Sequence, residues 1–414
     1  MKPLVFINTA VFNGVSESLL PNCSVIVEGE TIREVRVNDA ATYENCDVVD
    51  LGGRVMTPGL VDGHMHCLVC EIPEMDKRME DRTPGGGVLE NAKSYIAFRG
   101  VYSARRCLEA GFTTVFDGGA PDFIDVALRE ALQVGLFPGP DYYISGQQIS
   151  VGPPHFPGLG CIANGEWEMR KAVRNMLYWG VDHIKLKISA PMRMSRRKSE
   201  RSEMSIGEIQ AVCDEAHGAG IMVGAHVRGA DPIKDFIRGG GDMIIHGTGI
   251  DDEGIEMMLK KNLYFYGTLA SVGKDEPSPE LAAAKAPSLI ASMRRKGQEN
   301  FDSVKRAYKA GVNMVFATDT GAVDIWPGQN AREMLRLREM GMTNLDIMRS
   351  ATSTAAKGLR LDDRIGMVKP GLRANLVVVE KNPLDDIEQM LDVKLVVKAG
   401  AIVKNSLPVA TPVR

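Results

Sequence analysis

The sequence predicts an α/β protein: a (β/α)8 TIM barrel with a small β domain built from both ends of the chain. Three observations lead there. The middle of the chain repeats one unit, a helix-like stretch closed by glycine and followed at once by a short apolar strand. Eight such strands can be counted. Both ends instead show short runs of alternating apolar and polar residues, cut by Asn, Gly and Pro.

The end segments VFINTAVF, SVIVEGETIREVRV and CDVVDLGGRV find their counterparts in GLRANLVVVEKNPLDD and VKLVVKAGAIVKN. Residues 1–55 with 359–414 are therefore assigned to the small β domain, and 56–358 to the barrel. The barrel strands are expected at 59–64, 112–117, 141–146, 182–189, 221–226, 242–247, 263–268 and 313–319. These runs lack strict alternation, as strands buried on both faces do. Intervening segments such as SYIAFRGVYSARRCLEA and EWEMRKAVRNMLYW carry apolar residues at helical spacing. An open doubly wound sheet is the rival, but the Gly-x-Gly-x-x-Gly fingerprint that would support it is absent.

Composition narrows the function classes. The chain has 414 residues, a formal net charge of −4, 44% hydrophobic and 25% charged residues. Slight acidity gives no reason to expect nucleic acid or an anionic membrane as partner. No apolar stretch approaches a membrane span and no signal pattern opens the chain, so a cytoplasmic protein is expected. Seven scattered cysteines argue against a disulfide framework. Cys67-x-x-Cys70 lacks the second pair of a zinc knuckle and does not clearly open a helix, so neither a zinc nor a redox role is assigned to it.

Barrel enzymes carry their chemistry at the C-terminal ends of the strands. In TPGLVDGHMH the first strand ends in His64-Met65-His66, and side chains two apart on a strand point the same way. Alone this is as well read as two partly buried histidines. But strand 5 ends in His226, strand 6 in His246 and strand 8 in Asp319, so four of the seven histidines fall at predicted strand ends. Three or more imidazoles with a carboxylate form a zinc-type site. Strand 4 brings Lys185 and Lys187. A neutral lysine amine can react with carbon dioxide to give an anionic carbamate, but from the residues alone a barrel-interior ion pair explains these lysines better. His183 reads as packing or support for Lys185, and His217 as a helix-end residue. His155, in the Pro/Gly-rich loop SVGPPHFPG over the mouth, reads equally as a substrate contact or an idle loop position.

Taken together, TPGLVDGHMH, EAGFTTVFDGG, VDHIKLKIS, VGAHVRG, DMIIHGTG, FATDTGA and GMVKPGLRANLVVV resemble the amidohydrolase superfamily. The likeness is to its binuclear prolidase-like subgroup of Xaa-Pro dipeptidases, related carboxypeptidases and imidazolonepropionase-like proteins. The resemblance implies two divalent ions, zinc being expected. His64, His66 and Asp319 would hold one, His226 and His246 the other, and Lys185 would bridge them as N6-carboxylysine. It implies a urease-type β-sandwich for the small domain and a homo-oligomer. It also implies hydrolysis of an amide-type bond in a small molecule, a dipeptide or N-acyl amino acid. Asp319 would move the proton, with His246 as the next candidate, and Arg228 and His155 would contact substrate.

The chain departs from that pattern at three places. Prolines precede His155, Arg228 stands where dipeptidase-like members often have tyrosine, and Asn375 replaces a usual aspartate. A mononuclear deaminase would resemble His-x-x-Glu after strand 5, where this chain has Gly229. A non-catalytic scaffold would be expected to lose ligands. A hydrolase of ureas, carbamates or other non-peptide amides would share the metal chemistry and differ in its loops.

Overall fold

The computed structural model describes residues 2–69, 93–152, 160–189, 201–270, 287–321 and 325–407. Cys70 and His155 lie outside them. The chain opens with β1 (Leu4–Val11), β2 (Leu20–Glu28), β3 (Thr31–Arg36), β4 (Asp47–Asp50) and β5 (Val55–Pro58). The barrel strands follow: β6 (Leu60–Met65), β7 (Phe112–Asp117), β8 (Asp141–Tyr143), β9 (Gln148–Ser150), β10 (Gly160–Ile162) and β11 (His183–Lys187). They continue with β12 (Met222–Arg228), β13 (Met243–Thr248), β14 (Tyr264–Tyr266) and β15 (Asn313–Val315). The chain returns with β16 (Leu376–Val379), β17 (Leu395–Lys398) and β18 (Ala401–Asn405).

The two ends form one sheet in the order β18–β17–β16–β5–β1–β2–β3, with β4 beside β1. β16 runs antiparallel to β5, with Val377 opposite Thr57, so the first and last parts of the chain meet in mid-sheet. Period-two alternation divides its side chains between two cores. Leu376, Val378, Leu395 and Val397 join Phe6, Val25 and Met56 on one face. Val377, Val379 and Val396 face the large core under the barrel helices. Asp141, at the start of β8, accepts bonds from Lys398 Nζ (2.7 Å) and Arg373 Nη1 (3.1 Å), pinning the base of the barrel to this sheet. Asn375 belongs to the same clamp: it donates to Asp141 and accepts from the Ala399 N–H.

The barrel is drawn as two parallel sheets, β6–β7–β8 and β9–β11–β12–β13–β14–β15, with β10 outside β9. Backbone hydrogen bonds bridge both seams. Asp182 N–H donates to Ile144 C=O (2.8 Å), while Gly63 N–H reaches Phe316 C=O (2.8 Å) and His66 N–H reaches Thr320 C=O (2.7 Å). The eight expected strands are all present, several of them shortened, the seventh to Tyr264–Tyr266. The third is interrupted between β8 and β9, where Gly146 N–H turns to the Asp125 carboxylate (2.8 Å). The eighth ends at Val315, and residues 316–320 continue beside β6 with irregular backbone.

Local sequence explains the repeating unit. The helix Ile206–Gly218 starts at Ser205, whose hydroxyl accepts Glu208 N–H while the Glu208 carboxylate accepts Ser205 N–H. The chain then turns through Gly218-Ala219-Gly220 into β12. Cys23, Cys46, Cys67, Cys107, Cys161 and Cys213 are all unbridged. Among the described residues no helix is long and apolar enough to cross a membrane.

Candidate metal centre

His64 and His66 leave the top of β6 into the barrel mouth, where they meet Asp319 from the segment after β15. Asp319 Oδ1 lies 3.3 Å from His64 Nε2 and 3.4 Å from His66 Nε2. The three residues are buried, and their possible ligand atoms lie within 4.8 Å of one another. Donors bound at zinc-like distances in tetrahedral array are about 3.4 Å apart. This spacing and donor chemistry fit a divalent ion. His66 Nδ1 is buried with no hydrogen-bond partner among the described residues. Gly118, just past β7, makes the cluster sterically possible: a Cβ there would overlap His64 Cε1 and come within 2.9 Å of His66 Cε1.

Across the mouth stand His226 of β12 and His246 of β13, ring centroids 4.5 Å apart. The His246 ring is 5.8 Å from that of His64. Simple alternation would send His246 outward with Ile244, which packs in the core outside the barrel. Instead His246 adopts φ 70°, and the β12–β13 register slips between Val227 and Arg228. That left-handed residue, costly for a side chain with a Cβ, turns the imidazole toward His64 and His226. Its Nδ1 meets Thr268 Oγ1 at 2.7 Å, and a proton donated there leaves the Nε2 lone pair for a cation. Asp319 is also left-handed, at φ 59°.

Lys185 is 1% exposed, and its Nζ lies 3.1 Å from His64 Nε2. Burial pulls its ammonium down to about 7, against the opposing charges of Asp319 and Asp117. Burial, then the Lys185 charge, lowers His64 to about 3, and burial followed by Arg228 holds His246 well below the usual imidazole range. Burial works against a charge on Asp319, but its hydrogen bonds to His64 and His66 and the imidazoles around it outweigh that and keep it ionised. Burial thus favours neutral imidazoles at His64 and His246 beside a carboxylate at Asp319, protonation states suited to holding a cation.

Beneath the ligands lies a frame that the sequence reading passed over. Asp62 accepts from His64 N–H (3.2 Å), Thr318 N–H (3.1 Å), Thr318 Oγ1 (2.6 Å) and Asn330 Nδ2 (2.8 Å), tying the His64 backbone to the segment that carries Asp319. Burial still lifts its carboxyl to about 6. Asp117 accepts from Tyr142 Oη (2.6 Å), Cys67 N–H (2.8 Å) and Gly119 N–H (3.0 Å), fixing the chain just past His66. Glu333 accepts from Leu269 N–H (2.8 Å) and Ala270 N–H (2.5 Å), next to Thr268. Asp62 left a trace in the sequence, a carboxylate inside a buried apolar run. Glu333 left none.

The remaining sequence candidates separate clearly. Arg228 is 6% exposed and donates from Nη1 to Thr248 Oγ1 (3.2 Å), while its Nε is buried without a partner among the described residues. Burial lowers its guanidinium to about 10. Asp231, the ion-pair partner an ordinary surface reading would give it, instead faces Lys234. Lys187 pairs with Glu203 at 3.1 Å. His183 is buried near Phe116, ring centroids 5.3 Å apart, and His217 bonds Asp242 at 2.8 Å, so neither reaches the mouth. Gly229 holds φ 95° at the start of the helix Ala230–Arg238, and no glutamate stands there.

Comparison with known proteins agrees with this architecture. The Aspergillus niger ochratoxinase is 27% identical over 389 residues, covering 84% of this chain and 76% of its own. A solved Xaa-Pro dipeptidase with bound methionine superposes with a TM-score of 0.86 at 25% identity, over 98% of this chain and all of that one. A prolidase complexed with N-methylphosphonate-L-proline gives 0.83 at 26%, with the same coverage. The family model described as Amidohydrolase family matches residues 55–403, from β5 to the last strand. A metal-type cluster at the mouth of such a barrel, with that match across most of the sequence, makes this chain a hydrolytic enzyme of the amidohydrolase family.

Proposed function

We propose that this hydrolase works with two divalent ions, zinc by ligand chemistry, on an amide-type C–N bond. Its substrate is a small molecule with a carboxylate near that bond, a dipeptide or an N-acyl amino acid. The observation that carries the reading is the convergence of His64 and His66 on one oxygen of Asp319, beside the buried amine of Lys185. His64, His66 and Asp319 would hold the first ion, and His226 and His246 the second. Lys185 would serve both as a carbamate: its neutral amine adds to carbon dioxide, an N–C bond forms as one C=O π bond opens onto oxygen, and the nitrogen gives up a proton to solvent.

When bound, the ions polarise the scissile carbonyl and acidify water toward neutral pH. The protein's own groups do the rest. Asp319 accepts the proton released as water adds and delivers it to the departing amine nitrogen. His246, steadied by Thr268, is the second candidate for proton transfer. Arg228 offers to the substrate carboxylate the guanidinium edge that is unpaired among the described residues. Gly229 supplies no carboxylate for the proton shuttle of a deaminase. The prolidase and dipeptidase likenesses support a carboxylate-bearing substrate.

Two measurements test the proposal. Elemental analysis of protein grown with adequate metal is expected to find two equivalents of divalent ion per chain; one or none overturns the binuclear reading. A hydrolysis screen of dipeptides, N-acyl amino acids and neutral aryl amides, ureas and carbamates is expected to favour the first two. Preference for the neutral compounds would replace the substrate assignment.

A further inference from the structure

The buried guanidinium of Arg228 contacts no carboxylate among the described residues, yet it is not loose. The β12–β13 register sets Arg228 opposite Thr248, and Nη1 donates to Thr248 Oγ1. That hydroxyl has one proton, which goes to Asn300 Oδ1 at 2.9 Å. Asn300 Nδ2 in turn donates to Gly267 C=O at 3.0 Å. Polarity runs one way along this line. A guanidinium can only donate, so the hydroxyl accepts from it and passes its proton on, and the backbone carbonyl fixes which end of the amide faces Thr248. The line ends beside Thr268, whose hydroxyl holds His246. The guanidinium and one ligand imidazole are thus referenced to the same pair of residues, Gly267 and Thr268.

Resting on the reading of Arg228 as the grip on a substrate carboxylate, we propose that Thr248 and Asn300 are positioning residues. They hold the guanidinium at one angle and so set how far from the scissile bond a carboxylate can be seated. A guanidinium already oriented loses less freedom on forming two parallel hydrogen bonds, and the saving is largest for the substrate whose carboxylate falls at the set distance. The pair therefore selects N-acyl α-amino acids over homologues with one more methylene before the carboxylate.

The test compares an N-acyl α-amino acid, its one-methylene homologue and its neutral carboxamide, in wild type, Arg228→Met, Thr248→Val, Thr248→Ser, Asn300→Ala and Arg228→Met/Thr248→Val. Metal content and circular dichroism are measured on each. Thr248→Val keeps the side-chain shape and removes only the relay. It is expected to raise KM for the α-amino acid substrate about tenfold, the scale of a hydrogen bond to a charged group, with kcat within about twofold. It should narrow the preference over the homologue and leave KM for the carboxamide unmoved. Asn300→Ala should act in the same direction, Thr248→Ser should restore the wild-type KM, and the double variant should bind no worse than Arg228→Met alone. Unchanged KM in Thr248→Val and Asn300→Ala, with Arg228→Met still separating carboxylate from carboxamide, overturns the positioning role and spares the grip. So does a Thr248→Val loss that adds fully to that of Arg228→Met. An Arg228→Met variant that affects carboxylate and carboxamide substrates alike overturns the grip, and the positioning role with it.

Discussion

His64, His66 and Asp319 rest on a dense frame of buried carboxylates, whereas His246, across the barrel mouth, leans on the Thr268 hydroxyl and a left-handed turn of its own backbone. The first arrangement locks two distant parts of the chain together, because Asp62 on β6 takes bonds from Thr318 and Asn330. The same groups that hold the ligands also hold the barrel seam. The second arrangement acts through one hydroxyl, with Glu333 holding the backbone just beyond Thr268. On one side ligand geometry and fold stability should therefore be inseparable, and on the other they should come apart.

Four substitutions put that contrast to the test. The largest effect is expected from Lys185→Ala, which removes the group proposed to serve both sides. Activity should drop to background and most of the metal should be lost, with short carboxylates in the buffer restoring part of both; wild-type activity and metal content would remove Lys185 from the centre. Next comes Asp319→Asn, which keeps shape and much of the ligation but removes the base. Turnover should fall about a hundredfold or more, the scale of general acid–base catalysis, while metal content changes far less. A near-normal kcat would move proton transfer to His246.

Asp62→Asn tests the framed side. The new amide turns a donor toward Asn330 Nδ2, leaving donor against donor in a buried site. Stability should fall by about 1–3 kcal/mol in denaturant unfolding, and one metal equivalent should bind about ten- to a hundredfold more weakly by competition with a chelator. Thr268→Val is the smallest change and the counterpart. It should weaken one equivalent by about tenfold and cost less stability than Asp62→Asn, because one bond is lost and no donor is set against another. Equal losses of stability in these two variants would erase the distinction between the sides.

Much of the fold was legible because the helix-glycine-strand unit is a local signal repeated eight times. That His64 and His66 share one side was legible from their spacing on a strand end, but only His226, His246 and Asp319 at other strand ends made them candidates for a site. His246 was found by its place at a strand end, but its inward direction depends on φ 70° and a register slip, and no alternation pattern contains either. The interruption after Tyr143 depends on Asp125 capturing Gly146 N–H, a contact with the preceding helix. Thr248, Asn300, Thr268 and Glu333 were invisible because their value lies in which strands and loops end up adjacent. Arg228 attracted attention as a departure at a strand end; that it is buried without an acidic partner among the described residues only the structure could supply.

The joining of β5 to β16 bears on how the chain comes to be folded. A ribosome releases β1 to β5 first, and the strand that completes their sheet emerges only after the whole barrel has been made. Until then Val55, Met56 and their neighbours present an unpaired edge and an uncovered apolar face, the kind of surface that chaperones bind and aggregates recruit. The barrel waits as well, since Val377, Val379 and Val396 complete its core from the last strands. The pairing of β16 with β5 is thus a late closing step on which both cores depend, and clipping β16 to β18 should cost soluble protein before any loss of catalytic competence is felt.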